Sequence, residues 1–337
     1  MDFQLEKNIP LSQHTTLKLG GVADLFATVR NEDELIAALR FAKQTATPLF
    51  ILGGGSNILF SDEGFRGMVI KSEIKGIEYK EKDKEDVILE AGSGEILDKV
   101  IENTIKYSYW GLENLTSIPG TVGAVPVQNV GAYGVEVSSL IESVEAINVK
   151  TSKKKIFKND ECKFSYRDSY FKTKAGQDWF ITKVKFNLSK SPNPKIDYAD
   201  LAFLKESKNI NQSIIREALS VIRSGKFPDW TRVGTAGSFF KNPVISNGHF
   251  QKLKETYPEL PGFETEDGIK VSLGWILDKV CNLKGHCDGN VCLYKKQALV
   301  LVNNGNSSKD VKKFVKKISD IVKEKTEIEI FAEVKIL

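Results

Sequence analysis

The sequence predicts an α+β protein of more than one domain, and three observations carry that reading. The chain has 337 residues, enough for two or three domains with cores that need no covalent staples. Helical periodicity and short strand-like runs alternate along it. Charged or Gly/Pro-rich breaks at residues 80–86, 191–194 and 223–229 divide it into segments.

The elements follow in order. Asn31–Lys43 opens with acidic residues and places Leu35, Ala38, Leu39 and Ala42 on one face, as an amphipathic helix does. Pro48–Leu52 reads as a buried strand running into Gly53-Gly54-Gly55-Ser56-Asn57, and Gly67–Ile70 as the next strand. Val87–Ala91 is strand-like, Gly92–Gly94 a turn, and Ile96–Ile105 a helix. A glycine-rich run then covers 118–134, and strands follow around Val144–Val149 and Phe180–Leu188. Arg223–Asp229 reads as a linker. In the last third, Ser272–Asn282 is helical and stops near Gly285, and Ala298–Val302 is a strand. From Ser308 to Lys325 a basic amphipathic helix lays Val311, Phe314, Val315, Ile318, Ile321 and Val322 on one face. Ile328, Ile330, Ala332, Val334 and Ile336 then alternate as in a half-buried strand.

Composition narrows the function. Hydrophobic residues make up 41% and charged residues 27%, the mixture of a globular chain. The net charge of +4 is too small to argue for nucleic acid but suits anionic small ligands. No stretch is long enough to span a membrane, and the N-terminus lacks the apolar core of a signal peptide. Cys162, Cys281, Cys287 and Cys292 form no C-x-x-C pair, so no metal is expected, and reduced thiols fit a cytoplasmic protein. Cys281 lies in an apolar run and reads as a small buried hydrophobe. The three histidines, His14, His249 and His286, sit in no recognisable triad or zinc pattern. That leaves room for a cofactor that carries the reaction itself.

Four places could hold chemistry. In Gly234-Thr-Ala-Gly237-Ser238-Phe-Phe-Lys-Asn-Pro243 small residues bring backbone close to a ligand and Ser238 presents a hydroxyl; the same run could be a plain turn into a buried aromatic pair. The glycine loops at 53–57 and 118–134 could close backbone N–H groups around phosphates, or be tight turns. Neither matches a phosphate-loop or dinucleotide fingerprint, but two in one half suggest an extended dinucleotide. Arg167, between aromatics, could grip a carboxylate with two hydrogen bonds or pair with Asp168 at the surface. Glu333 faces away from the apolar row of the last strand, toward a site or toward water.

Taken together, these segments resemble the UDP-N-acetylenolpyruvoylglucosamine reductase family over nearly the whole chain. The elements fall in the family's order: His14-Thr-Thr with Gly20-Gly21, Ile51-Leu-Gly-Gly-Gly-Ser-Asn-Ile-Leu59, Ile118-Pro-Gly-Thr-Val-Gly123 with Gln128-Asn-Val-Gly-Ala-Tyr-Gly134, Tyr166-Arg-Asp-Ser169, Gly237-Ser-Phe-Phe-Lys-Asn-Pro243 and Glu333-Val-Lys335. The resemblance implies a vanillyl-alcohol-oxidase-like FAD-binding domain of two subdomains plus a C-terminal α+β substrate-binding domain. The subdomains would span 1–72, with strand 328–337 able to join it, and 73–226, and the substrate domain 227–327.

It also implies an activity: NADPH-dependent reduction, through non-covalent FAD, of the enolpyruvyl group of UDP-N-acetylglucosamine enolpyruvate to UDP-N-acetylmuramate, by a cytoplasmic monomer in peptidoglycan synthesis. Gly53, Gly54, Gly55, Ser56, Asn57, Pro119, Gly120, Gly123, Asn129, Gly131 and Arg223 match the FAD positions. Tyr133, Tyr166, Tyr198, Lys226, Asn242 and Gln297 match substrate positions, Tyr198 being the tyrosine of the longer subtype whose loop closes over the nucleotide. Ser238 matches the proton donor, and Arg167 and Glu333 the groups that stabilise the enolate-like charge; Glu333 can donate only in its protonated form. Thr235 and the Ala124-Val125 pair depart from some members and touch no proposed catalytic atom. A related FAD oxidase of a small alcohol or hydroxy acid, which would have no use for Lys226 and Asn242, and a non-catalytic nucleotide-sugar binder, which would tolerate loss of Ser238, are the competing readings.

Overall fold

The computed structural model describes residues 3–207, 209–305 and 307–337. The described residues form two compact units. One comprises Met1–Ile9, Ala23–Gly54 and Arg66–Arg223; the other comprises Pro10–Val22, Gly55–Phe65 and Ser224–Leu337. The three-part division read from sequence follows the chain in order, whereas these units do not: 10–22 and 55–65 pack with the last third of the chain.

The first unit is built on two sheets. In the four-stranded sheet the order is Gln4–Pro10, Val22–Val29, Phe65–Ser72, Leu49–Leu52, the last two running parallel. Helix Glu32–Gln44 carries Leu35, Ala38, Leu39 and Ala42 into this core, as its spacing requires. Asn31 caps it, accepting from Glu34 N at 2.8 Å. The five-stranded antiparallel sheet has the order Lys154–Lys158, Ile141–Asn148, Trp179–Ser189, Asp86–Gly92, Ile77–Glu81. Helix Leu97–Lys106 buries Leu97, Val100 and Ile101 in its core.

Two expectations need correction here. Residues 223–226 are not linker: helix Gln212–Lys226 runs through Ser224 and Gly225 and ends two residues before Pro228. Its register is set by Ile215 and Leu219, which pack with Trp110, Leu201 and Leu204 and outweigh the low helix propensity of Gly225. Arg216 anchors it to helix Leu97–Lys106 with hydrogen bonds to Asp98 at 2.8 and 2.9 Å and to Glu102 at 2.8 Å. The cysteines are not all reduced either. Cys287 and Cys292 face each other across the turn joining Cys287–Asp288 to Val291–Tyr294, with Cα atoms 4.1 Å apart, and form a disulfide. Cys281 is buried in the apolar core, where burial raises its thiol above the ordinary range.

On the five-stranded sheet Glu90 is 7% exposed and receives Lys183 at 2.9 Å, Lys185 at 3.1 Å and Lys80 at 3.3 Å. The Lys183 hydrogen bond leads in pulling its carboxyl from 4.5 to about 2, against the cost of burial. A depressed carboxyl pKa stabilises above the unfolded value and loses that contribution as pH falls toward the folded value. After screening by the part-exposed lysines the contribution is about 1–2 kcal/mol. The Tm gap between the native protein and Glu90→Gln should therefore be full at pH 6 and shrink steadily below about 4.5; a gap constant down to pH 3 would contradict this.

The second unit holds a four-stranded sheet of order Gly234–Ser238, Gln297–Asn303, Val291–Tyr294, Cys287–Asp288. Helix Ser308–Thr326 starts with a reciprocal Ser307–Asp310 capping box and buries Val311, Phe314, Ile318 and Val322, the predicted face. The predicted helix 272–282 is a short turn, Leu273–Trp275, continuing as the wider π-helix Ile276–Val280. The last segment keeps its alternation only in part. Ile328, Ile330 and Val334 are buried, but Ile336 is 39% exposed, and only Lys335–Ile336 forms a ladder, parallel to Ile58–Leu59.

Candidate active site

In the first unit the two glycine loops meet. A Cβ on Gly54 would lie 2.7 Å from the Gly120 Cα and 3.2 Å from the Thr121 nitrogen, so only hydrogen fits there. One on Gly53 would lie 3.0 Å from Ala124 Cβ and 3.2 Å from Thr121 Oγ1. Thr121 Oγ1 is itself buried without a hydrogen-bond partner among the described residues. A close-packed seam of small residues carrying an orphaned hydroxyl fits a phosphate-bearing cofactor. Within the predicted FAD set, Gly53, Gly54, Pro119, Gly120, Gly123, Asn129, Gly131 and Arg223 lie in this unit, while Gly55, Ser56 and Asn57 lie in the other. Asn129 ties its loop to the turn before Arg167, accepting from Ser138 N at 3.0 Å and donating to Glu136 at 2.9 Å and to Ser165 O at 3.1 Å.

Arg167 sits at a tight turn. Ser165 and Asp168 exchange two backbone hydrogen bonds of 3.1 Å, and Arg167 adopts φ +54°, a left-handed conformation uncommon for arginine. Strain of this kind concentrates at sites that need a side chain aimed. The guanidinium donates to Gly131 O at 2.7 Å and lies 5.3 Å from the Tyr166 ring centre, while Lys172 donates to Arg167 O at 2.7 Å. Arg167, Tyr166 and Gly131 therefore form one cluster.

Tyr133, Tyr198 and Arg223 form a second. The two tyrosine rings meet edge to face at 5.4 Å, and the Tyr133 side chain hydrogen-bonds the half-buried Arg223, whose guanidinium is driven below its ordinary range by loss of water. Asn114 was not foreseen. Fully buried, it donates to Tyr133 O at 2.8 Å and to Lys195 O at 2.7 Å, tying the Tyr133 loop to the segment leading to Tyr198. Nothing in the run Leu112–Thr116 distinguishes it before the fold is known.

The second unit brings Glu333 to the backbone of Phe239, the residue that follows Ser238. Strand Gly234–Ser238 pairs with Gln297–Asn303 until Thr235, sets Ala236 and Gly237 against the single residue Leu301, and resumes at Ser238 opposite Val300. Gly237, at φ +69°, is the pivot of this bulge, a conformation that favours glycine. Beyond it Phe239 and Phe240 are buried and pack edge to face at 5.4 Å, anchoring the segment. Glu333 N donates to Phe239 O at 2.8 Å, and Asn57 Nδ2 donates to Glu333 O at 3.2 Å. Ser238 and Glu333 are each half-buried. Asn242 accepts from Leu273 N at 3.0 Å through Oδ1, which leaves its amide NH₂ as the group to meet a ligand. Gln297 Oε1 accepts from Leu299 N at 3.4 Å. Lys226 closes its helix at the start of this unit.

Comparison with known proteins decides the family. Residues 23–154 match the model of an FAD binding domain, and residues 229–337 match that of the UDP-N-acetylenolpyruvoylglucosamine reductase C-terminal domain. The chain is 36% identical over 335 residues to the reductase of Porphyromonas gingivalis, covering 98% of each, and 42% identical over 300 residues to that of Blochmanniella pennsylvanica, covering 89% of this chain and 86% of that one. It belongs to the UDP-N-acetylenolpyruvoylglucosamine reductase family. This reductase is an FAD-dependent oxidoreductase with NADPH as co-substrate. Its fold is also that of the crystal structure of the Thermus caldophilus reductase, with TM-score 0.70 at 24% identity and 99% of each chain covered. No helix of the described residues is long and apolar enough to cross a membrane.

Proposed function

We propose that the reductase, whose family reduces UDP-N-acetylglucosamine enolpyruvate in peptidoglycan synthesis, works as a cytoplasmic monomer with Arg167, Ser238 and Glu333 as its catalytic residues. FAD, when bound, supplies the hydride it has received from NADPH. The remaining task is to stabilise charge and move one proton. Arg167, pre-aimed by its turn, holds the substrate carboxylate. Glu333 stabilises the enolate-like charge that spreads into that carboxylate once the methylene carbon has gained hydride. Ser238 then gives its hydroxyl proton to the carbanionic carbon and recovers one from solvent. A serine hydroxyl is a weak acid, but a carbanion is a strong base, so no histidine is required. Tyr133, Tyr166, Tyr198, Lys226, Asn242 and Gln297 bind the nucleotide and sugar. The glycine loops at 53–57 and 118–134 hold the cofactor.

The observation that most supports this reading is the 2.8 Å bond between Glu333 N and Phe239 O, which keeps the glutamate beside the residue following Ser238. The test is an anaerobic absorption spectrum of the purified protein. Flavin bands should bleach with NADPH and return only on adding UDP-N-acetylglucosamine enolpyruvate. Reduced protein that ignores this substrate and reoxidises only with oxygen would overturn the assigned reaction.

A further inference from the structure

We infer that Thr235 is a positioning residue for this reaction, acting through the bulge that aims Ser238; the inference rests on the proton-donor reading of Ser238. Thr235 is 4% exposed. Its hydroxyl donates to Leu301 O at 2.7 Å and accepts from Gly237 N at 3.1 Å. Leu301 lies between the residues that face Thr235 and Ser238 on the neighbouring strand, Val302 and Val300, where the regular ladder is interrupted. The hydroxyl thus supplies both hydrogen bonds that a bulge would leave unmade: an acceptor for the amide of the pivot and a donor for the carbonyl opposite it.

The backbone of Thr235 is held separately. Its N–H donates to Thr16 O at 2.9 Å, and its carbonyl accepts from the Thr16 hydroxyl at 2.6 Å. Removing the Thr235 hydroxyl therefore leaves the strand in place and loosens only the pivot at Gly237. Ser238 is the next residue, and its Oγ follows the Gly237 dihedrals. A reacting group displaced by about 1 Å loses on the order of 10²-fold in rate. The residue itself touches no reacting atom, and the sequence carries no sign of the role, because hydroxyl, bulge and serine are linked only through the register of a distant strand.

The test compares Thr235→Val, which keeps the branched shape without the hydroxyl, with Thr235→Ser, which keeps the hydroxyl. In Thr235→Val, reduction of bound FAD by NADPH should keep its native rate. Reoxidation by the enolpyruvyl substrate should slow by about 10- to 100-fold, with a larger solvent deuterium isotope effect as proton transfer becomes limiting. The Gly237 amide should exchange faster with deuterium. Thr235→Ser should restore all three readouts, and in a Ser238→Ala background Thr235→Val should add no further loss. If Thr235→Val folds poorly, Thr235→Ala is read in its place. Native reoxidation, equal slowing of both half-reactions, or a loss that adds to that of Ser238→Ala would each overturn the inference. Native reoxidation in Ser238→Ala alone would instead sink the proton-donor reading beneath it.

Discussion

Ser238→Ala should yield a yellow protein that is bleached by NADPH at the native rate and then reoxidised by the enolpyruvyl substrate about 10²–10⁴ times more slowly. The size follows from the role, since removing a positioned proton donor costs that range in other general-acid reactions. The selectivity follows from the structure. Ser238 lies after the bulge, and the fold around it is held by Phe239, Phe240 and the backbone bonds to Leu299 and Glu333, none of which involves the serine hydroxyl. The variant should therefore fold and melt like the native protein. Glu333→Gln should slow the same half-reaction, because the amide keeps the size and the backbone bond to Phe239 but cannot supply a proton or a carboxylate. Stopped-flow traces of the two half-reactions separate the outcomes, and Ser238→Ala with unchanged reoxidation would remove serine from the mechanism.

The second large effect is on cofactor retention. Gly54→Ala places a methyl group 2.7 Å from the Gly120 Cα, a contact with backbone that no side-chain rotation relieves. The two glycine loops must separate, and overpacking of this kind costs about 1–3 kcal/mol. Because the strain falls on the proposed cradle, FAD affinity should drop by about 10- to 100-fold, and the variant should purify with a reduced flavin-to-protein absorbance ratio. Gly248→Ala is the control. A methyl there meets nothing within 4 Å, and helix Asn247–Thr256 should gain a few tenths of a kcal/mol with flavin content unchanged. Full flavin content in Gly54→Ala would show that the seam does not hold the cofactor.

Much of this was legible before the fold was seen, where local chemistry decides structure. The helices at 32–44 and 308–326 announce themselves by the spacing of their apolar residues, and the ordered motifs carry the family. What escaped is what depends on partners far away in sequence. The end of helix Gln212–Lys226 reads as linker in sequence because two of the helix's partners, Trp110 and Asp98, lie about a hundred residues upstream. The cysteine pair looked reduced because only the hairpin register sets Cys287 opposite Cys292. Arg167 was singled out for its neighbours, while the reason it is well aimed, a left-handed turn bonded to Gly131, needs coordinates. Asn114 and Thr235 carry polar side chains with no motif around them, and their importance lies wholly in which carbonyls and amides the fold brings to them.

The second unit draws 10–22 and 55–65 from the opposite half of the gene, and Leu17, Leu19 and Leu59 from those inserts sit inside its apolar core with Phe239, Val291 and Phe314. Its heredity is therefore not modular. A fragment cut before Ser224, however well it matches a domain in other respects, would lack part of its own interior and expose the complement to water. Recombination between relatives that exchanges only the last third would bring together core residues selected in different backgrounds. Chimaeras of this reductase should tolerate a crossover best when the two inserted segments travel with the C-terminal piece.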